Sequence, residues 1–473
     1  MQSKSYSSGH REIKFLFTTL PSNDLGLLTR SLPIATELAA QGHEVVFCSP
    51  GESPGKLIAE AGFDNLLPRH PLFYLMTTRL SVRGLFRVVQ AGRRDFGGLF
   101  RFLTQLVRVV PTRFAPITSE IWNVDHQAAF GGMLNERLVR AGCEGYMALV
   151  KDCDADVVVD FWNPFACLAA KALRKPLVTV IQADMHPASK GFIWWKEPPS
   201  DLPTPVPVVN KVLAEYNLQP ISQTGDLFAG DLTLVLGMPE TDPLPEAADV
   251  IYVGPILWQK PGAKLPGWVD ALSKEKPVIW VYSGNPRYVS GVRTPVDSAV
   301  VLQACIAALA DEDVQVILTT GHHPLPKGVV PLPDNFHHEP FVPGLAMAER
   351  SDLLIHHGGY GSCQTGLYTG TPAVIIPTYS ERESNARRIA AVGAGEFVVP
   401  VEGRWGKKRV RTEELRAKVR KVLADPTYAA NARLMRERLR ALGGASESAR
   451  LIGDFARGWD TRTEDRKEKR LYV

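Results

Sequence analysis

The chain has 473 residues, of which 45% are hydrophobic and 22% are charged. This composition is typical of a folded protein and excludes a disordered one, and the length predicts two domains. Lys and Arg total 54 against 50 Asp and Glu, so the net charge of +4 gives no indication of nucleic-acid binding.

The six cysteines are scattered along the chain, with no CxxC pair and no Cys/His cluster at metal-binding spacing. This distribution favours a reducing compartment. The first residues, MQSKSYSSGHREIKFLF, lack the apolar core of a signal peptide, and no run of about 18 or more apolar residues occurs. We therefore expect a cytoplasmic protein that is neither secreted nor membrane-spanning and that has no bound metal.

The first half of the chain is predicted to be a β-α-β series. IKFLFTTL, from Ile13 to Leu20, has the pattern of a buried strand, Thr29 to Gln41 that of an amphipathic helix, and EVVFCSP that of the next strand. DADVVVDF, a helix through CLAAKAL, and PLVTVI repeat the unit. Such alternation predicts a doubly wound parallel sheet over residues 1–235.

Residues 71–115 are rich in Phe, Leu and Val, which suits the walls of a pocket for a large apolar or aromatic molecule. Between Arg79 and Arg113 this segment also contains eight arginines and a single acid, Asp95. Three interpretations of these arginines stay open: weak contact of residues 79–113 with a membrane surface, binding of an acidic molecule, or the solvated face of two helices.

Proline and glycine become frequent in residues 236–267, which predicts a surface linker. A second series of strands follows in residues 268–444, with the sequences VIWVYSG, VQVILTTG, DLLIHHGG and PAVIIPT. Residues 445–473 are predicted to contain a last helix, from about Ala445 to Gly458, and a charged tail. Ligands of parallel sheets bind at the carboxyl ends of the strands, so two such domains predict a cleft with a binding edge on each side.

The sequence HHGGYGSCQTG, from His356 to Gly366, follows one of these strands and begins a helix. Glycines allow close approach of the backbone to a ligand, and a helix N-terminus offers free N–H groups and partial positive charge to a diphosphate. A glycine-rich turn alone is also compatible with a purely structural role.

Together with RSLPIATELAAQGHEVVF, VGPILW, VYSGN and the run from Glu339 to Val398, this turn resembles the nucleotide-sugar-dependent glycosyltransferases of family 1. The resemblance extends from Ile13 to about Ala456. It implies the GT-B fold, an α/β architecture in which two doubly wound Rossmann-like domains face a central cleft. The first domain would bind the acceptor and the second the donor, and the last helix would cross back to the first domain.

The resemblance also implies which residues bind the donor. Val342 would present its backbone to the nucleobase, Ser283 would approach the diphosphate from the opposite loop, and the glycine-rich turn would hold the diphosphate through His357, Gly359, Gly361 and Ser362. No metal ion is implied, because the helix terminus and the imidazole stabilise the phosphate charge. For Ser283 and Ser362, helix capping is the alternative role.

Two departures from the family pattern bear on the donor. Thr365 occupies the position of a glutamate that holds both ribose hydroxyls in many UDP-sugar enzymes, and this favours a dTDP donor. Glu381 and Arg382 replace the Asp-Gln pair that often binds sugar hydroxyls. This exchange favours a deoxysugar or a sugar with a negative group over glucose, unless both residues are only solvated surface charges.

The catalytic histidine that family members carry before the first helix is replaced by Leu27. Its usual partner is present as Asp160 in VVVDF, for which helix capping is the alternative role. Three hypotheses stay open. Asp160 acts directly as the base, with Asp24 as second candidate if it does more than form a turn; His186, beside Asp184, supplies the imidazole; or the protein is an inactive partner of a true enzyme.

Leu27 and the tryptophans Trp162 and Trp194 are the candidate acceptor contacts, with core packing as the alternative role of the tryptophans. We therefore expect an inverting glycosyltransferase that transfers a sugar, preferably from a dTDP-deoxysugar, to a mostly apolar or aromatic natural product such as an antibiotic.

Overall fold

The structure is a computed structural model. It describes residues 12–20, 25–68, 120–259, 262–284, 298–321, 325, 329–403 and 408–471. Asp24 and the segment of residues 71–115, with its arginines at 79–113, lie outside these ranges, so the predictions made for them stay predictions.

Within the described residues, the first half forms a sheet of seven parallel strands in the order β3-β2-β1-β4-β5-β6-β7. The strands are β1 Lys14–Thr19, β2 Glu44–Cys48, β3 Asp64–Asn65, β4 Val157–Phe161, β5 Leu177–Ile181, β6 Leu232–Val235 and β7 Ile251–Tyr252. The helices are α1 Gly26–Ala40, α2 Glu52–Glu60, α3 Val124–Ala128, α4 Glu136–Asp152, α5 Pro164–Leu173 and α6 Val206–Glu215. The last strand lies within the segment 236–267, which the sequence marks as a linker.

The second half forms a six-stranded parallel sheet in the order β10-β9-β8-β11-β12-β13, counted over the described ranges. Its strands are β8 Val278–Tyr282, β9 Gln315–Thr319, β10 Phe336–Glu339, β11 Leu353–His356, β12 Ala373–Ile375 and β13 Gly395–Phe397, and a small antiparallel pair follows with β14 Val401–Glu402 and β15 Lys408–Arg409. The helices are α7 Ser298–Leu309, α8 Gly344–Arg350, α9 Tyr360–Thr369, α10 Ser380–Ala391, α11 Thr412–Ala424, α12 Pro426–Ala441 and α13 Gly444–Leu471.

Both sheets are buried on both faces, which explains their unbroken apolar strands. In β4, Val158 packs in one core cluster while Val157 and Val159 pack in the cluster on the opposite face. In β8, Val281 and Trp280 divide between two clusters in the same way. Every strand pairing in the two large sheets is parallel, so the predicted doubly wound architecture is confirmed.

The last helix, α13, packs against the first domain. Ala449 and Ile452 pack in the same cluster as Leu28 of α1. Ser446 Oγ lies 3.2 Å from a carboxylate oxygen of Glu37 on α1. The helix is longer than the sequence suggested, because it continues through the charged residues to Leu471.

The strand order of each sheet reverses at one point, between β1 and β4 in the first sheet and between β8 and β11 in the second. Loops diverge to opposite faces at such a point and leave a crevice for a ligand. Asp160 lies at the first reversal, paired with Thr18. His356 lies at the second, paired with Tyr282. The two candidate binding edges of the sequence are therefore the two topological switch points.

Candidate functional site

The turn between β11 and α9 forms an open helix N-terminus. Gly358 has φ of +87°, a conformation that favours glycine. The N-cap residue is Gly359, which has no side chain to cap the first turn, and its carbonyl accepts the amides of Ser362 and Cys363. The two preceding amides, those of Tyr360 and Gly361, point out of the helix end by helical geometry. A helix N-terminus without a side-chain cap can accept an anion.

His357 is enclosed by backbone on two sides. A β-carbon placed on Gly359 would lie 2.5 Å from Nε2 of His357, and one placed on Gly284 would lie 3.0 Å from the same ring. Burial, assisted by the charge of Arg382, holds the pKa of His357 well below its usual range. The imidazole is therefore neutral at pH 7, and a neutral ring can donate one hydrogen bond to a phosphate oxygen.

The other predicted donor residues lie in the same domain as this turn. Ser283 is buried directly after β8, and its Oγ lies 3.5 Å from the Gly284 carbonyl. Val342 is also buried, in the cluster that contains Trp280. Ser362 lies in the first turn of α9 and does not act as its N-cap. Thr365 donates from Oγ1 to the Gly361 carbonyl at 2.9 Å, so its hydroxyl is used within the helix.

Glu381 and Arg382 lie in the first turn of helix α10, next to the glycine-rich turn. Both side chains are partly buried and are not solvated surface charges. Asn385 Nδ2 donates to the Gly358 carbonyl and to Glu381 Oε1, both at 3.0 Å, which ties α10 to the turn. Nη1 of Arg382 donates to Thr378 at 2.6 Å. Burial raises the pKa of Glu381.

On the acceptor side, Asp160 is fully buried at the carboxyl end of β4. Its carboxylate accepts from Thr18 Oγ1 at 2.5 Å, from the Asn163 amide at 2.8 Å and from Cys167 Sγ at 3.2 Å. Burial raises its pKa to about 7. Asn163, not Asp160, caps helix α5, with its side chain accepting the amides of Phe165 and Ala166. This environment suits a positioning role better than direct contact with an acceptor.

Trp162 and Leu27 lie near this strand end. Trp162 has φ of +64°, which is unusual for a bulky residue, and its backbone amide also donates to Asp160. Its side chain packs partly against the first core. Leu27 lies in the first turn of α1 and packs against the opposite core cluster. Both side chains remain partly accessible, so their predicted acceptor contacts stay predictions.

The structure does not form the Asp184–His186 pair that the sequence suggested. Within the described residues, Asp184 instead forms a 2.5 Å ion pair with Arg388 of α10 and accepts a 3.4 Å hydrogen bond from Ser384. His186 accepts the Ala188 amide on Nδ1, and burial lowers its pKa. Asp184 thus joins the two domains and does not orient an imidazole.

Trp194 takes part in the same contact between domains. Its Nε1 donates to Ser384 Oγ at 3.0 Å, and its ring meets Trp195 edge to face at 5.5 Å. Trp195 lies under the guanidinium of Arg387 at 4.3 Å. The loop after β5 is therefore docked on α10, the helix that carries Glu381 and Arg382.

Sequence reasoning missed this interdomain contact. Arg388 is buried and pairs with an aspartate 204 positions away, a separation that no local pattern reveals. It also missed Asp242, which accepts a 2.9 Å hydrogen bond from the Tyr360 hydroxyl. The Asn163 cap, in contrast, was visible in the sequence, because Asn followed by Pro is a helix start signal.

With this geometry in place, the chain can be compared with known proteins. Residues 303–450 match the family described as "Erythromycin biosynthesis protein CIII-like, C-terminal domain". 4'-Demethylrebeccamycin synthase of Lentzea aerocolonigenes is 30% identical over 233 residues, 49% of this chain and 50% of that protein. The calicheamicin glycosyltransferase CalG4 has a similar structure, with a TM-score of 0.66 and 19% identity over 94% of this chain and 98% of the other.

These matches show a similarity to glycosyltransferases that covers part of the chain in sequence and nearly all of it in fold. The Streptomyces glycosyltransferase SsfS6, whose structure contains thymidine diphosphate, is similar over 94% of this chain and 100% of its own, with a TM-score of 0.60 and 17% identity. These likenesses confirm the predicted GT-B fold. The chain spans about half the length of the curated relatives it matches.

The described ranges contain neither a candidate membrane span nor a candidate metal cluster. No helix there is both long and apolar enough to cross a membrane. In the same ranges no three His, Cys, Asp or Glu side chains gather closely enough to hold a metal ion.

Proposed function

We propose that the protein transfers a sugar, with inversion, from a nucleoside diphosphate donor to a mostly apolar or aromatic natural product. The observation that carries the proposal is the open N-terminus of α9 with the enclosed, neutral His357 beside it. Helix dipole, amides and imidazole together suit a diphosphate leaving group, and the proposal includes no metal ion.

The proposed donor is a dTDP-deoxysugar in preference to UDP-glucose. Thr365 has no carboxylate for a ribose 2'-hydroxyl, and its own hydroxyl is bonded to Gly361. Arg382 puts a cation where a neutral amide would bind sugar hydroxyls. The thymidine diphosphate in the structure of SsfS6 is in line with this preference.

The base that deprotonates the acceptor is proposed to depend on Asp160, with Asp24 and His186 as the alternatives. Because Asp160 is buried among internal donors, a movement of the β4–α5 turn or an intervening group would have to bring the acceptor proton to it. Leu27, Trp162 and Trp194 are the proposed acceptor contacts.

A second candidate function is that of a nucleotide-sugar-binding partner without transferase activity. Two observations favour it: the apolar Leu27 in the first turn of α1, and the absence, among the hydrogen bonds of the described residues, of any imidazole bonded to Asp160.

Two measurements on the full chain separate these functions. Calorimetry with thymidine diphosphate and uridine diphosphate tests donor binding, and mass spectrometry of mixtures with dTDP-sugars, UDP-sugars and a panel of phenolic acceptors tests transfer. Binding with turnover supports the transferase. Binding without turnover over the panel favours the partner function, and absence of both overturns the two candidates together.

A further inference from the structure

Helix α1 of the acceptor domain carries an arginine that reaches the donor turn. Arg30 lies three residues after Leu27, which places both side chains on one face of α1. The guanidinium carbon of Arg30 lies 5.0 Å from the centre of the Tyr360 ring, at the first residue of α9. A β-carbon placed on Gly361 would lie 3.9 Å from Nη2 of Arg30. A cation from one domain therefore stands at the helix N-terminus of the other.

This placement brings positive groups together. The N-terminus of a helix already carries about half a positive charge, so an anion that lies close to both the helix end and Arg30 is attracted by both. Arg382 adds a second cation, whose charge helps to depress the pKa of His357. Glu381 lies within electrostatic reach of both arginines, and its carboxylate is bonded to Asn385. A ligand with two or more negative charges would meet all three positive groups at once.

We propose that Arg30 is a diphosphate-binding residue that stabilises the departing nucleoside diphosphate. In the transfer step a bond forms between the acceptor atom and the anomeric carbon, and the bond from that carbon to the terminal phosphate oxygen breaks. The electron pair remains on the phosphate oxygen, and the acceptor proton passes to the base. The guanidinium donates hydrogen bonds to the oxygens on which this negative charge collects.

The proposal rests on the donor site proposed above and adds a consequence for the acceptor domain. Where the family resemblance leads one to expect a catalytic histidine on α1, this chain has an apolar residue followed one turn later by a phosphate ligand. The contact crosses the cleft from α1 to α9. Donor binding and the approach of the two domains are thereby coupled through Arg30.

The test uses the full chain and thymidine diphosphate as the probe, titrated by calorimetry at constant ionic strength. Arg30→Met keeps an apolar stem against Tyr360 and removes the charge, and Arg30→Lys keeps a charge without the planar fork. Arg137→Met, on the exposed face of α4, is the matched control. Loss of a charge-assisted hydrogen bond corresponds to a change of about 10- to 100-fold in affinity.

We expect Arg30→Met to bind thymidine diphosphate at least about tenfold more weakly than wild type, Arg30→Lys to lie between, and Arg137→Met to match wild type. Binding of thymidine, which has no phosphate and is followed by ligand-observed NMR, should be the same in all four proteins. Thermal unfolding without nucleotide checks that the variants are folded, and Arg30→Gln takes the place of Arg30→Met if the latter is not.

Unchanged affinity of Arg30→Met for thymidine diphosphate, together with loss of binding in His357→Ala, would overturn the role of Arg30 and leave the donor site standing. An equal loss for thymidine and thymidine diphosphate would also overturn it, because a phosphate ligand acts only on the phosphates. If wild type binds neither thymidine diphosphate nor uridine diphosphate, the proposed donor site is wrong, and the proposed role of Arg30 is wrong with it.

Discussion

The same strand-turn-helix unit occurs at the switch point of each domain, but it ends differently in the two halves. In the first domain, the turn from β4 to α5 is closed by its own side chains, since Asn163 caps the helix and Asp160 accepts from Thr18 and from Asn163. In the second domain, the turn from β11 to α9 has glycine at the cap and no side-chain cap.

The difference lies in whether the first turn of the helix is capped by a side chain of the chain itself. A helix end that is capped by its own chain is stabilised by about 1 kcal/mol and has little left to offer a ligand. An uncapped helix end gives up that stabilisation and keeps its amides for an anion. The closed turn of Asp160 and the open turn of His357 therefore predict different responses to substitution.

The largest effect is expected at the open turn. His357→Ala removes the only imidazole enclosed between Gly284 and Gly359 in the described structure. We expect turnover to fall about 10²- to 10³-fold, because a hydrogen-bond donor to the developing negative charge is lost. Steady-state kinetics with saturating acceptor measure this loss. His337→Ala, an exposed imidazole on β10, is the control; equal turnover of the two variants would contradict the donor role of His357.

At the closed turn, Asp160→Asn should lower turnover about 10²-fold, because the amide cannot accept a proton and disturbs the hydrogen bonds from Thr18 and Asn163. The affinity for the nucleotide-sugar donor should stay unchanged. Kinetics and calorimetry on the same protein separate the two effects. Asp156→Asn is the matched control, since Asp156 accepts the Lys14 amide at the opposite end of the sheet. Turnover near that of wild type would eliminate Asp160 and leave Asp24 or His186.

A purely steric change tests the enclosure of His357. Gly359 has φ of −61°, so alanine is compatible with its backbone, but the new methyl group would lie 2.5 Å from Nε2 of His357. We expect Gly359→Ala to weaken thymidine diphosphate binding about tenfold or more by displacing the ring. Gly267→Ala, where a β-carbon meets nothing within 4 Å, should bind like wild type. Equal binding by both variants would show that the ring position is unimportant.

Sugar selection should change at Arg382. Replacement by glutamine restores a neutral amide, and we expect the ratio of kcat/KM for UDP-glucose to that for a dTDP-deoxysugar to rise about tenfold. Arg387→Gln on the same helix is the control, since Arg387 faces Glu383 and Trp195. A ratio that stays the same in Arg382→Gln would mean that Arg382 does not contact the sugar.

The smallest effect concerns stability and pH. Burial raises the pKa of Asp160 and of Asp242 to about 7, well above about 3.9 in the unfolded chain. The folded state therefore holds these protons more tightly, and their stabilisation is complete below about pH 4 and is lost as the pH rises through 7. We expect the free energy of unfolding to fall between pH 5 and pH 8 by on the order of 2 kcal/mol per group.

Urea unfolding at a series of pH values measures this fall. Asp242→Asn should make the dependence shallower, because the amide does not titrate. Asp201→Asn, on an exposed turn where no buried carboxylate is removed, should keep the wild-type slope. A stability that rises between pH 5 and pH 8, or a slope that Asp242→Asn leaves unchanged, would contradict the prediction.

The sequence by itself determined the two parallel sheets, the glycine-rich turn at His357 and the family resemblance. These depend on local patterns: apolar strands buried on both faces, and glycines at a helix start. It also placed Asp160 correctly at a strand end, because strand periodicity is a local property.

Only the tertiary structure decided how these parts meet. The pairing of Asp184 with Arg388, the approach of Arg30 to Gly361 and the burial of Asp160 all join residues far apart in the chain. The burial of Asp160 depends on how β1, β4 and α5 assemble in the first domain. The contacts of Asp184 and Arg30 depend on how the two domains pack against each other. Charge and burial at the cleft are therefore properties of the assembled domains, and no window of sequence contains them.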